Sequence, residues 1–141
     1  MTLEQLFSGA STVALIGWAM LALAPLQRDW AIVGVRLAAA SLCGLYFTLL
    51  VAALLGRHGL PPGASFNTLA GVRILLSSPQ ALLAGWVHYL AFDLFVGSWE
   101  VGDAPKARVP HWLLLPCLAL TFVAGPVGLL LYLGIKAVRR R

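Results

Sequence analysis

The run HWLLLPCLALTFVAGPVGLLLYLGI, from His111 to Ile135, contains no Asp, Glu, Lys or Arg. A helix needs about 20 mostly apolar residues to cross the hydrocarbon core of a bilayer, and this run is long enough. Pro116 and the pair Gly125-Pro126 interrupt it, and each is expected to kink the helix. Kinks open cavities, although Gly125-x-x-Gly128 is equally an ordinary close-packing device. Lys136, Arg139, Arg140 and Arg141 follow directly. A basic cluster beside a hydrophobic helix characteristically faces anionic lipid on the cytoplasmic side.

Working outward, three more segments have the same character. Leu6 to Leu26 is uncharged and closes at Pro25 and Gln27-Arg28-Asp29. Leu37 to Gly56 is uncharged, with Arg36 near its entrance and Arg57-His58-Gly59 at its exit. Ser77-Ser78-Pro79 supplies a hydroxyl cap and a proline at the first helical position, and the helix it opens is expected to run to Trp99. The loop Gly59-Leu60-Pro61-Pro62-Gly63 precedes a shorter apolar stretch holding Arg73, too short to span. The fold class expected is therefore all-α: an integral membrane four-helix bundle with spans over 6–26, 34–56, 79–99 and 112–135. A short interfacial helix over 66–77 falls between the second and third spans, and all 141 residues form one domain.

Composition agrees. Sixty percent of the residues are apolar and 11% charged, with mean hydropathy +0.89, against about 45–50% and about 25% in a soluble domain. Too few polar side chains exist to cover a water-facing surface. Two cysteines, Cys43 and Cys117, cannot make a disulfide scaffold. No basic face with interleaved aromatics is present, so nucleic acid is not an expected partner. Met1-Thr2-Leu3-Glu4 carries an acid where a secretory signal starts with positive charge, and Pro25 disfavours cleavage after Ala22-Leu23-Ala24. The first run is thus expected to stay as a span. With four spans, Arg57, Arg73, Lys136, Arg139, Arg140 and Arg141 share one side, and Arg28, Arg36, Lys106 and Arg108 the other. That bias is expected to place both termini in the cytoplasm.

The third span carries the polar residues: WVHYLAFDLFVGSWE, Trp86 to Glu100. A charge inside a span costs about 2.5–3.5 kcal/mol on insertion scales, so such residues face the bundle or a cavity. At about 100° per residue, Trp86, Tyr89, Asp93, Gly97 and Glu100 form one stripe. His88, Phe92, Phe95 and Trp99 form another, starting about 140° away. Tyr89 and Asp93 are neighbours four residues apart, whereas His88 needs a partner from another helix. The candidate catalytic residues are Asp93 as proton donor or base, His88 as its complement, and Tyr89 as an orienting hydroxyl. The candidate substrate contacts are Trp86, Phe92, Phe95, Trp99, Glu100 and Arg36. Each has a plainer reading: Asp93 tied to Arg36 or to hydroxyls, Glu100 a solvated helix end, His111 a hydrated interface histidine, the aromatics packing or interface residues, Arg36 and Arg73 snorkelling to headgroups. No H-E-x-x-H, G-x-S-x-G, phosphate-cradling glycine loop or paired C-x-x-C occurs. No metal site and no cofactor are expected, though a two-ligand share of an iron or zinc site stays open.

The run Trp86 to Gly97 resembles the signature of the abscisic-acid-deficient-four-like family of small integral membrane proteins. Leu115-Pro116-Cys117 and the stretch Thr121 to Tyr132 also resemble that family's last span. The family pattern has an arginine where this chain has Ser98, so no anion-pairing role carries over. The resemblance implies a role in carotenoid metabolism, since plant members are required to make neoxanthin from violaxanthin. The Ala-, Leu-, Gly- and Arg-rich composition without a plastid extension suggests a bacterial member of the inner membrane.

Converting an epoxide to an allenic alcohol protonates oxygen and removes a carbon-bound proton, with no net redox change. Asp93, His88 and Tyr89 in a dry, aromatic-lined groove suit that work. The alternatives are a non-catalytic carotenoid- or lipid-binding helper and a small proton-coupled transporter. Partners expected are membrane lipid, a carotenoid or other isoprenoid ligand, and a partner enzyme or second copy of the chain.

Overall fold

The computed structural model describes residues 1–55 and 61–139. Every regular element among them is helical: α1 (Leu3–Ala22), α2 (Arg28–Leu55), α3 (Leu69–Leu75), α4 (Pro79–Asp103) and α5 (His111–Arg139), with a 3-10 turn at Ala24–Leu26. Four of them, α1, α2, α4 and α5, are long and apolar enough to cross a membrane. Gly56, Arg57, His58, Gly59 and Leu60, expected to end the second span and open the next loop, lie outside the described residues, as do Arg140 and Arg141.

The helix starts follow from local chemistry. The Thr2 hydroxyl accepts from the Gln5 backbone N–H while the Gln5 side chain accepts from that of Thr2, a reciprocal box at the head of α1. The Ser78 hydroxyl accepts from the Ala81 N–H, and Pro79 needs no N–H partner at the first position of α4. Helix α3 spans seven residues, narrower than the 66–77 expected. Thr68 takes its cap position by accepting from the Gly71 N–H, and the Ser65 hydroxyl accepts from the Asn67 N–H just before it.

Helix α4 is the centre, packed against α1, α2 and α5. Its contact with α1 is close because small residues face large ones. A Cβ at Gly97 would meet Trp18 at 2.8 Å, and one at Gly17 would meet Leu94 at 2.9 Å. Helix α1 runs parallel to α4: Phe7 and Ser11 meet Trp86, while Trp18 and Leu21 meet Gly97. One end of the bundle therefore gathers Met1, the end of α2, α3 and the start of α4. The other gathers the Ala24–Leu26 turn, Asp103 and the start of α5, where His111 Nε2 donates to the Ala22 carbonyl at 2.8 Å. That bond supplies a donor to a carbonyl orphaned at the end of α1.

Helix α5 is not a single pass. At Ala124 the backbone leaves helical geometry (φ −150°, ψ 63°), and the second arm turns back along the first. Gly128 rests against the Thr121 amide and the Cys117 carbonyl, with no room for a Cβ. The Tyr132 hydroxyl donates to Asp103 Oδ2 at 2.7 Å, and Lys136 pairs with the same carboxylate. Both Tyr132 and Lys136 thus reach the end of α4 near which α5 begins. The fourth span, expected over 112–135 with kinks at Pro116 and Gly125-Pro126, is instead a helical hairpin whose apex lies at depth. The described C-terminal residues therefore sit at the bundle end opposite Met1, and the expectation that both termini share one side is corrected. Gly125-Pro126 marks the place, because proline cannot donate the next helical hydrogen bond and clashes with the preceding turn.

Candidate functional site

The apex of the α5 hairpin meets α4 at Asp93. With 1.5 Å of rise per residue, Asp93 lies about 21 Å from Pro79 and about 15 Å from Asp103, near the middle of a hydrocarbon core about 30 Å thick. Non-helical backbone at that depth persists only where it is buried in protein or lines a cavity. Two features of this chain meet that demand.

The first is a hydrogen bond. Pro126 has no N–H, so the Phe122 carbonyl four residues earlier loses its helical partner. The Tyr89 hydroxyl of α4 donates to that carbonyl at 2.9 Å. The second is a close approach. The Asp93 carboxyl lies on the face of Gly125, where any Cβ would overlap it. Asp93 Oδ2 is buried and has no hydrogen-bond partner among the described residues. Tyr89 lies one helical turn away, within electrostatic reach of the carboxyl. Asp93 itself is half-buried, so a carboxyl with a vacant acceptor oxygen stands beside a backbone break at mid-depth.

The stripe Trp86, Tyr89, Asp93, Gly97 and Glu100 is thus shared between α1 and α5. Trp86 Nε1 donates to Ser11 Oγ at 3.3 Å, and its ring packs on Phe7 and Tyr89. Glu100 is fully buried, which corrects its reading as a solvated helix end. The Thr121 hydroxyl reaches its two oxygens at 3.1 and 3.3 Å. The second arm of α5 closes over this region, where Tyr132, also fully buried, packs edge-on to Trp99 at 5.6 Å. Lys136 stands over the Trp99 ring at 5.1 Å.

The structure does not bring His88 to Asp93. His88 stacks on Phe92 at 4.5 Å and faces Tyr46 of α2 at 5.5 Å. It lines a separate apolar cavity of about 290 Å3 between α2, α3 and α4, with Leu50, Phe66 and Leu75. Arg36 is not tied to Asp93 either; its guanidinium lies 5.9 Å above the Phe95 ring. Phe92 and Phe95 are exposed on the outer surface of α4. No group of three His, Cys, Asp or Glu side chains among the described residues is placed to hold a metal. Sequence reasoning missed Thr121, which meets Glu100 from the first arm of α5, and Tyr132, Asp103 and Lys136, whose contacts depend on α5 turning back. The Gly125-Pro126 pair signalled the break but not its angle.

Fold and site together define a small helical membrane protein with an intramembrane carboxyl at a re-entrant apex. The chain belongs to the ABA DEFICIENT 4-like family, whose profile matches residues 5–132. That membership ties it to carotenoid and abscisic-acid-related metabolism. No curated protein and no solved structure matches the chain.

Proposed function

We propose that this chain acts within the bilayer on an epoxidised carotenoid or related isoprenoid lipid, by non-redox acid–base isomerisation centred on Asp93. The observation that carries the reading is the Asp93 carboxyl, held against Gly125 at mid-depth with one oxygen unpartnered among the described residues. In such a reaction the carboxylic acid protonates the epoxide oxygen as its C–O bond breaks. The resulting carboxylate then takes a carbon-bound proton as the new double bond forms, so Asp93 ends as it began. Tyr89 anchors the apex and orients the carboxyl. Trp86 beside Tyr89 is the nearest candidate for contact with a polyene or ring, with Phe92, Phe95 and Trp99 further along α4. His88 takes no part in the proton transfer, being held on another face. The test is expression of wild type, Asp93→Asn and Asp93→Glu in a host producing epoxy-carotenoids, with the organic extract analysed by mass spectrometry. Loss of the isomer and accumulation of the epoxide in Asp93→Asn, at equal protein level, supports the reading. An unchanged profile overturns it.

The separate His88 cavity favours a second reading, a non-catalytic carotenoid- or lipid-binding helper. It takes a ring group among Leu50, Phe66 and Leu75, with His88 as a hydrogen-bonding group at its edge. A pigment that copurifies and survives Asp93→Asn, but not Ala84→Phe at another position lining that cavity, supports this alternative.

We infer further that the protein lies in a bacterial inner membrane with Met1 outside and the α5 ends facing the cytoplasm. Arg28, Arg36, Lys106, Arg108, Lys136 and Arg139 all belong to the α5 end of the bundle, against Arg73 at the other end among the described residues. Short basic loops and tails stay on the cytoplasmic side.

A further inference from the structure

The two arms of α5 leave a groove on the outer surface of the bundle. Leu113 and Leu120 of the first arm and Val127, Leu130, Ile135 and Val138 of the second line it, with Arg139 at one end, around a volume of about 770 Å3. Gly134 lines it as well, and a Cβ there would meet nothing within 4 Å, so a side chain at that position has open space to enter. From Val127 near the apex to Arg139 the second arm rises about 18 Å. Half of a hydrocarbon core is about 15 Å deep. The groove is therefore one leaflet long, apolar along its length and cationic only where it reaches the bundle end.

From the apex to the last described residue the second arm has no acidic side chain, and Arg140 and Arg141 follow Arg139 in the chain. An arginine at the leaflet surface offers planar, bidentate donors suited to phosphate. Attraction of anionic lipid to such a cluster contributes about 1 kcal/mol per basic residue near the surface. Lys136 is engaged by Asp103, which leaves Arg139 as the cation that lines the groove.

We propose that this groove binds one anionic glycerophospholipid of the leaflet bordering the α5 ends, an acyl chain between the arms and the phosphate on Arg139. The site is distinct from Asp93 and does not depend on any reaction there. The second arm turns back only part-way across the bilayer, and the bound chain fills the seam between the arms.

The test is native mass spectrometry of the full chain in detergent, titrated with phosphatidylglycerol or phosphatidylcholine of identical acyl chains. The expected result is one phosphatidylglycerol per chain, retained about tenfold over phosphatidylcholine, which corresponds to about 1.4 kcal/mol. Arg139→Gln is expected to bring the two lipids level. Gly134→Trp, which puts a large ring on the groove's lining, is expected to lower retention of both lipids without changing thermal stability. Equal retention of the two lipids by wild type overturns the proposal. So does unchanged phosphatidylglycerol binding in Gly134→Trp, or recovery of a neutral isoprenoid from wild type that Gly134→Trp no longer carries.

Discussion

The Tyr89 hydroxyl on α4 donates into the Phe122 carbonyl on α5, the carbonyl that Pro126 has deprived of its helical partner. The bond couples the helix carrying Asp93 to the apex that Asp93 faces. Tyr89→Phe removes the donor and leaves a carbonyl unsatisfied at depth, at a cost of about 1–3 kcal/mol. Measured interhelical hydrogen bonds in membranes average lower, about 0.6 kcal/mol, so the expected loss sits toward the bottom of that range. The check is unfolding of wild type and Tyr89→Phe in mixed micelles. An unchanged stability in Tyr89→Phe contradicts the relationship.

Gly125 tolerates no side chain because the Asp93 carboxyl occupies that space. Gly125→Ala is expected to destabilise by about 1–3 kcal/mol, the usual cost of overpacking. Asp93→Ala in the same chain is expected to recover much of that loss, since it removes the colliding atoms. Thermal melting of the single and double variants in detergent decides the matter. A Gly125→Ala penalty that persists in Asp93→Ala shows that some other contact sets the requirement.

Much of this arrangement was legible in the sequence, and the rest was not for identifiable reasons. The neighbouring placement of Tyr89 and Asp93 follows from the 3.6-residue period, and the cap at Ser78 from side-chain chemistry. The separation of His88 from Asp93 was already in that periodicity, but no local rule says which neighbouring helix His88 meets. The break in α5 was marked by Gly125-Pro126. Its size was not, because both arms are equally apolar and hydropathy cannot distinguish a kinked span from one that returns. Glu100 was misread for the same reason. Beside Gly102, Asp103 and Pro105 it resembles a solvated helix end, and only the returning arm with Tyr132 and Lys136 buries that region.

The turn in α5 makes a topological prediction. Single cysteines at Glu4 and at Val138, introduced into a Cys43→Ser, Cys117→Ala chain, are expected to label from opposite sides of right-side-out vesicles with a membrane-impermeant maleimide. Position 4 is expected to react from outside and position 138 only after permeabilisation. If both positions label from the same side, α5 crosses the bilayer and the hairpin is wrong.

Thr121 supplies the hydrogen bond that the buried Glu100 carboxyl receives from α5. Thr121→Val keeps the shape and removes the donor, so the carboxyl loses its protein partner in a dry environment. The expected penalty is about 1–3 kcal/mol, the cost of a buried polar group left unsatisfied. Thr121→Ser keeps the hydroxyl and is expected to lose less, only the packing of one methyl. Glu100→Gln keeps an acceptor for the Thr121 hydroxyl and is also expected to be mild, whereas Glu100→Leu strands that hydroxyl instead. Pairing Thr121→Val with Glu100→Leu removes both halves of the contact, and near-neutrality of the double variant is the sharpest expected outcome. Unfolding measurements on the set check it. Additive penalties in the double variant show that Glu100 and Thr121 are held in place by separate contacts.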